Sequence, residues 1–170
     1  MEYTGKICLF VLAFALSLLM FSISAEAQKK TFILVRHAEK SDEPESDPDL
    51  TDVGRERARR LSQIIGKFRP GAIYSTAFRR TRETAMPLAE RRRLNIQTYD
   101  AKTPQDLVTA ITKSEVKRFL IVGHSNTVPG LANLLIGKEI FKQLDEGEYG
   151  TIWVIRFKNG RFQKAEILHY

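Results

Sequence analysis

Two of the chain's three histidines lie one residue beyond the end of a short apolar run. Residues 31–40 read TFILVRHAEK, which places Arg36 and His37 after one run, and residues 119–127 read FLIVGHSNT, which places His124 after another. An imidazole can act as a nucleophile, as a general acid or base, or as a metal ligand. A guanidinium beside it indicates an anionic ligand, because its paired N–H donors match phosphate and carboxylate.

The apolar runs themselves predict how these side chains meet. Residues 32–35, 72–74 and 119–122 are short, apolar and rich in branched side chains, which is typical of buried parallel strands. Parallel strands end at one edge of a sheet, and ligands of open α/β sheets bind beyond that edge. We therefore expect one crevice that gathers the predicted site residues, namely Arg36, His37, His124 and the arginines at 79, 80 and 82.

The segments between the predicted strands have apolar residues at helical spacing, which predicts a helix in each. Thr51 is a predicted N-cap for a helix that runs to about residue 68, and residues 80–93 predict a second helix in which Pro87 requires an end or a kink. A third helix is predicted with Thr103 as its N-cap and Pro104 at its first position, and Pro129 is expected to open a fourth. In that fourth helix we expect the leucines to face the core, at positions 131, 134 and 135.

The C-terminal residues complete the predicted architecture. Residues 151–157 (TIWVIRF) read as a strand, 158–160 as a turn, and 161–169 as an antiparallel edge strand. The alternation of strands and helices predicts an α/β fold, a three-layer sandwich with a mostly parallel central sheet and an antiparallel C-terminal edge strand.

Residues 1–27 are predicted to be a secretory signal. Lys6 precedes a nearly unbroken apolar run, and residues 25–27 (AEA) supply the small residues of an A-x-A cleavage pattern. Cleavage before Gln28 would leave residues 28–170 as an exported domain, periplasmic or extracellular. The alternative is an uncleaved membrane anchor, because the run is nearly long enough to span a bilayer core of ~30 Å.

The composition describes one globular domain with excess positive charge. The chain has 170 residues, of which 43% are hydrophobic and 28% charged. Its only cysteine, Cys8, lies in the signal segment, so the mature domain would have neither a disulfide nor a thiolate nucleophile. Without residues 1–27 there are 26 basic and 18 acidic residues, a net charge of +8. Such a charge favours anionic partners.

Several other chemistries are disfavoured. Two histidines and Glu39 could suggest a metal, but arginines would not normally line a divalent cation site, so we expect no metal and no cofactor. The chain contains no P-loop, no dinucleotide fingerprint and no G-x-S-x-G elbow. The basic clusters at 55–60 and 91–93 fall on predicted helices without interleaved aromatic residues, which indicates solvated helix faces rather than contact with nucleic acid.

Four segments, in order, resemble the motifs of the histidine phosphatase superfamily, the phosphoglycerate mutase-like fold. They are LVRHAE at 34–39, LTDVG at 50–54, STAFRRTRETA at 75–85 and VGH at 122–124. The resemblance covers about residues 31–136, and the small size is most similar to the compact branch that includes phosphohistidine phosphatases. It implies that His37 is a nucleophile that forms a phosphohistidine, that Arg36 and Arg80 hold the phosphoryl oxygens, and that His124 donates a hydrogen bond to the same group.

The family pattern also raises a question about the proton donor. Many members carry an acidic residue on an insertion or directly after the second histidine, whereas here Ser125 follows His124. Glu39 and Glu83 are possible substitutes, although structural salt bridges would explain them equally well. The expected function is hydrolysis of exported or extracytoplasmic phosphomonoesters. The alternatives are a phosphohistidine protein phosphatase and a non-catalytic phosphate- or polyanion-binding module.

Overall fold

The computed structural model of the protein describes residues 27–42 and 46–170. The predicted signal segment lies outside them except for Ala27. No helix among the described residues is long and apolar enough to cross a membrane. Along this part of the chain the elements are β1 (Lys29–Arg36), α1 (Asp52–Gly66), β2 (Ala72–Ser75), α2 (Arg79–Arg92), β3 (Ile96–Thr98), α3 (Pro104–Lys113), β4 (Arg118–Gly123), α4 (Thr127–Ile136), β5 (Thr151–Lys158) and β6 (Arg161–His169).

These strands form a single sheet in the order β3-β2-β4-β1-β5-β6. The first four are parallel to one another, whereas β5 runs antiparallel to β1 and β6 antiparallel to β5. The predicted α/β class, the mostly parallel sheet and the antiparallel C-terminal edge strand are confirmed. The sequence pattern does not predict β3, because three residues with one apolar side chain carry no readable period.

Helices cover both faces of the sheet and enclose two apolar cores. Side chains on one face of β1 and β4 pack with α1 and α2, and those on the other face pack with α3 and α4. Alternate residues of a strand point to opposite faces, so Ile33 and Val35 enter the first core while Phe32 and Leu34 enter the second. This is the three-layer arrangement that the alternating elements predict.

The register between β1 and β4 places the two histidines side by side. Arg36 pairs with Gly123, so His37 and His124 each follow the last paired position of neighbouring parallel strands. The His37 N–H donates to the Gly123 carbonyl at 2.9 Å, which continues the ladder one residue further. On the other side of β4, β2 ends at Ser75, which pairs with Val122. The expected convergence of strand ends is therefore present.

The start of α1 is built against the segment that follows β1. Thr51 is the N-cap, and its side-chain oxygen accepts the Gly54 N–H at 3.0 Å. A Cβ at Gly54 would lie 2.2 Å from the Glu39 carbonyl oxygen. Only glycine permits this close approach, which explains the LTxxG pattern in physical terms.

Two local predictions need correction, and one of the two alternatives at Pro87 is excluded. Pro87 does not end the helix, because α2 continues to Arg92. Most of the stability of a helix in a protein comes from packing rather than from one hydrogen bond. Leu134 is 37% exposed, since it points about 100° away from Leu135 around the helix and lies beside the buried stripe. Pro129 is the third residue of α4 rather than the first, a position where a missing N–H costs little.

Candidate active site

The four residues to which the family resemblance gives roles line one cavity of ≈ 770 Å³ at the carboxyl edge of the parallel strands. Arg79 and Arg82, which were also expected there, do not line it. Arg36 and His37 follow β1, His124 follows β4, and Arg80 lies in the first turn of α2. The ring centroids of the two histidines are 5.4 Å apart. The structure therefore brings together two imidazoles and two guanidiniums, which is the grouping that the topology predicts.

The His37 ring has a defined tautomer. It is 4% exposed, and its Nδ1 lies 2.7 Å from the Ala38 carbonyl oxygen. A carbonyl can only accept, so Nδ1 carries the proton and Nε2 keeps its lone pair. Burial lowers the pKa of His37 to about 3, although the Ala38 carbonyl opposes this, and electrostatic interactions with His124, Arg36 and Arg80 lower it further. His37 is therefore a neutral imidazole at physiological pH.

The His124 ring ends a chain of side-chain hydrogen bonds. Its Nε2 lies 3.0 Å from Thr76 Oγ1, which lies 2.8 Å from Thr81 Oγ1. Thr81 donates its one hydroxyl proton to backbone carbonyls, the nearer being Phe78 O at 2.7 Å. Thr76 must then donate to Thr81, and His124 must donate from Nε2 to Thr76. Burial lowers the pKa of His124 to about 4, with Arg80 and Arg36 adding to the effect.

Arg36 is fixed by a turn that the sequence analysis missed. Its side chain is 1% exposed, and Nη1 donates to the Asp145 and Glu148 carbonyls at 2.8 and 3.1 Å. The Tyr149 ring lies 4.2 Å from the guanidinium carbon. We call residues 145–149 the Arg36 turn. Its one sequence signal is a polar DEGEY segment directly before a strand, which is too common to indicate a role.

Arg80 and its neighbour Arg79 have different surroundings. The Arg80 side chain is 14% exposed, lies 4.3 Å from the Phe78 ring and is 3.5 Å from Asp47. Burial lowers the pKa of Arg80. Arg79 is 53% exposed, pairs with Asp49 at 2.5 Å and does not line the cavity. The expected choice of Arg80 over Arg79 matches this placement.

Thr84 connects α2 to the backbone beside His37. Thr84 Oγ1 accepts the Ala38 N–H at 2.9 Å and donates to the Arg80 carbonyl at 2.7 Å. One hydroxyl therefore links the residue after His37 to the backbone of Arg80. Thr84 therefore fixes the distance between the segment that carries His37 and the segment that carries Arg80.

Both predicted substitutes for the missing acid lie outside the cavity. Glu39 accepts two hydrogen bonds from Arg57 Nε, at 2.7 and 2.8 Å, and this pair holds the pKa of Glu39 below its usual value although burial opposes the shift. Glu83 accepts the Leu50 N–H at 2.9 Å, and burial raises its pKa. Their roles here are structural. The acidic residues that do line the cavity are Asp100 and Glu146.

The donor set favours an anion over a cation. Among the described residues, the Nε–H groups of Arg36 and Arg80 are buried donors without a hydrogen-bond partner. In the same part of the chain, no group of three or more His, Cys, Asp or Glu side chains is placed to hold a metal ion. The backbone donors at the start of α4 are partly used, since the Thr127 and Val128 N–H groups donate to the His124 carbonyl.

The lowered histidine pKa values give a direct prediction. Lowering favours the neutral ring, so neither His37 nor His124 should gain a proton as the pH falls from about 8 to about 5, the range in which an ordinary histidine titrates. Nitrogen NMR of the free protein should show His37 as the Nδ1–H tautomer and His124 as the Nε2–H tautomer. A titration midpoint near 6.5, the ordinary value, would contradict this description.

Part of the chain is similar to known proteins in sequence. The family model for the histidine phosphatase superfamily, branch 1, matches residues 32–101. Phosphoserine phosphatase 1 of Hydrogenobacter thermophilus is 37% identical over 70 residues, which is 38% of this chain and only 33% of that enzyme's length.

Solved structures show the same fold over most of the chain. The mycobacterial glucosyl-3-phosphoglycerate phosphatase has a TM-score of 0.67 at 14% identity and covers 84% of this chain and 98% of its own. The SixA chain of Agrobacterium tumefaciens has a TM-score of 0.65 at 21% identity, with 83% and 99% covered. At these identities the likeness is one of fold. Residues 32–101 therefore match the histidine phosphatase superfamily in sequence, and the fold that these structures share extends over 83–84% of the chain.

Proposed function

We propose that the chain is a metal-independent phosphatase that hydrolyses phosphomonoesters through a phosphohistidine on His37. The observation that carries this proposal is the pair of unpartnered Nε–H donors of Arg36 and Arg80 in the cavity that also holds the neutral His37 ring. A buried donor without a partner calls for an explanation, and a bound anion in the cavity would supply one for both guanidiniums. The match to a phosphatase family supports the same reaction.

In the first step, Nε2 of His37 attacks phosphorus in line with the leaving oxygen. The Nδ1–H bond to the Ala38 carbonyl stabilises the ring as positive charge develops on it. Arg36 and Arg80 bind the equatorial oxygens, where charge spreads in the transition state. A phosphoryl anion also favours the protonated form of His124, whose Nδ1–H could then donate to it.

In the second step, water attacks the phosphohistidine and releases His37 and inorganic phosphate. The same guanidiniums hold the oxygens in both steps, because the two transition states place charge at the same positions. The rigid ladder contact of His37 with Gly123 keeps the ring in place between steps. No step requires a metal ion.

The first test is an assay with p-nitrophenyl phosphate in the presence of EDTA. We expect turnover that the chelator does not reduce, and elemental analysis should find no stoichiometric zinc. Loss of activity with EDTA that a divalent ion restores would contradict the metal-independent mechanism. Absence of any turnover would favour the non-catalytic phosphate- or polyanion-binding module instead.

A second candidate within enzymes is a phosphohistidine protein phosphatase. The observation in its favour is the fold shared with the protein histidine phosphatase SixA, whose structure with tungstate has a TM-score of 0.66 at 16% identity. The cavity mouth also carries Lys40 and Lys102, which could accept an acidic partner. A panel of phosphohistidine peptides and small phosphorylated metabolites would separate the two: the higher kcat/KM identifies the substrate class.

We also propose that the protein acts outside the cytoplasm after loss of residues 1–27. The support is the apolar run and the AEA pattern of the N-terminal segment. N-terminal sequencing of the protein from its native host should find Gln28 first. Recovery of Met1 on a membrane-bound protein would instead show an uncleaved anchor.

A further inference from the structure

The proposed first step leaves one requirement unassigned, which is a proton for the leaving oxygen. An alkoxide is a poor leaving group in water, so general acid catalysis is worth about 10²- to 10⁴-fold for such esters. Neither Glu39 nor Glu83 can supply the proton, because neither lines the cavity. The residue after the second histidine, Ser125, has no acidic proton to give.

A carboxylate from elsewhere in the chain reaches that position in space. Glu146, on the Arg36 turn, places Oε1 3.4 Å from Ser125 Oγ and Oε2 3.1 Å from Arg36 Nη2. The carboxyl group therefore lies between the residue that follows His124 and the guanidinium that precedes His37. More than a hundred positions separate Glu146 from Arg36, so sequence spacing alone could not reveal this contact.

The two ends of this contact differ strongly in exposure. The Arg36 side chain is 1% exposed and is held by two carbonyls, whereas the Glu146 side chain is 81% exposed. Little packing opposes rotation of the Glu146 side chain, while its backbone is fixed by the turn around Arg36. A phosphoryl group that binds Arg36 would compete with the carboxylate for Nη2, because both are anions with matching acceptor geometry.

We propose that Glu146 is the general acid that protonates the leaving oxygen and the general base that activates water in the second step. This inference rests on the proposed phosphatase function. When the phosphoryl group takes the place of the carboxylate on Arg36, the two negative charges face each other. Like charge favours the protonated carboxyl group, so substrate binding itself would prepare the acid.

Glu146 gives up a proton in the first step and regains one from water in the second. The His37 Nε2–phosphorus bond forms as the bond from phosphorus to the leaving oxygen breaks, and the carboxylic acid proton of Glu146 passes to that oxygen. The alcohol then leaves and water takes its place. The Glu146 carboxylate removes one proton from water as its oxygen attacks phosphorus, the phosphorus–His37 bond breaks, and Glu146 is again protonated.

The other acidic residues near the cavity are less suited to this role. Asp100 lines the cavity, but its Oδ1 accepts the Lys102 N–H at 2.8 Å in a local turn, and no hydrogen bond joins it to either guanidinium. Asp47 accepts the Arg79 N–H with both oxygens, at 3.0 and 3.1 Å, which fixes it at the start of α2. Glu146 is the acidic residue in contact with Arg36 among the described residues.

The test compares Glu146→Gln with wild type on substituted phenyl phosphates of similar shape and different leaving-group acidity. Glutamine can still accept from Arg36 but cannot donate a carboxylic acid proton. We expect kcat/KM to fall by about 10²-fold for phenyl phosphate and by less than about 3-fold for p-nitrophenyl phosphate, whose anion leaves without a proton. Glu90→Gln, which removes the same charge at an exposed position of α2, should leave both rates unchanged.

Equal losses on both esters would show that Glu146 only positions Arg36, and would overturn the acid–base role. Unchanged or faster turnover, or the same leaving-group pattern in Asp100→Asn, would overturn it as well. In each of these cases wild type still hydrolyses p-nitrophenyl phosphate and the proposed function stands. If wild type hydrolyses neither ester and forms no phosphohistidine, the proposed function fails and this inference fails with it.

Discussion

His37→Ala should abolish turnover, whereas His124→Ala should leave a slow enzyme. The nucleophile candidate is His37, because the Ala38 carbonyl holds its Nδ1 proton and leaves Nε2 free to attack. Its loss should reduce kcat by about 10⁴-fold or more, the scale of a residue that forms the covalent intermediate. Loss of His124 removes one donor to the phosphoryl group and should cost about 10²-fold.

The third histidine offers a matched control for this experiment. His169 lies exposed near the end of β6, outside the cavity, so His169→Ala should keep wild-type kcat. Circular dichroism of each variant should show the wild-type α/β spectrum, since a ring change at the cavity wall removes little core packing. Full activity in His37→Ala, or greater loss in His124→Ala, would reverse the assignment of roles.

The second large effect is expected at Arg80. Arg80→Ala should lower kcat/KM by about 10²-fold or more, because it removes a charge that stabilises the transition state. Arg80→Lys should recover only part of this, since an ammonium lacks the planar pair of donors. Arg79→Ala is the matched control: its guanidinium pairs with Asp49 outside the cavity, so its loss should have little effect.

Kinetics of the three variants on p-nitrophenyl phosphate would rank the arginines. If Arg79→Ala lost more activity than Arg80→Ala, the register of α2 relative to the cavity would be wrong. That register depends on Thr84, which joins the Arg80 carbonyl to the Ala38 N–H. The same comparison therefore tests how the two motif segments are joined.

The features that the sequence predicts correctly are local or depend on topology. Apolar runs mark β1, β2 and β4, and parallel pairing then requires their ends to meet, which brings Arg36, His37 and His124 together. The Thr51 cap is likewise a short-range signal. The sequence match to the histidine phosphatase superfamily covers residues 32–101, which include β1, β2 and the Thr51 cap.

The features that the sequence does not predict depend on contacts between distant residues. The turn at residues 145–149 binds Arg36 through backbone carbonyls. Every residue type has a backbone carbonyl, so the side chains of this turn do not indicate the contact. Glu39 and Glu83 are close to site residues in the chain but point to Arg57 and to the Leu50 backbone. Proximity along the chain therefore does not identify the proposed proton donor, because Glu146 reaches the cavity through contacts between distant residues.

The central claim is a covalent phosphohistidine on His37, and trapping that intermediate tests it most directly. Wild type is mixed with a phosphate-labelled substrate, quenched rapidly in alkali, which preserves phosphohistidine, and mapped by peptide analysis. We predict label on the peptide that contains His37, at Nε2, in wild type and in His124→Ala, and no label in His37→Ala. Label on His124, or turnover without any labelled histidine under these conditions, would contradict the mechanism.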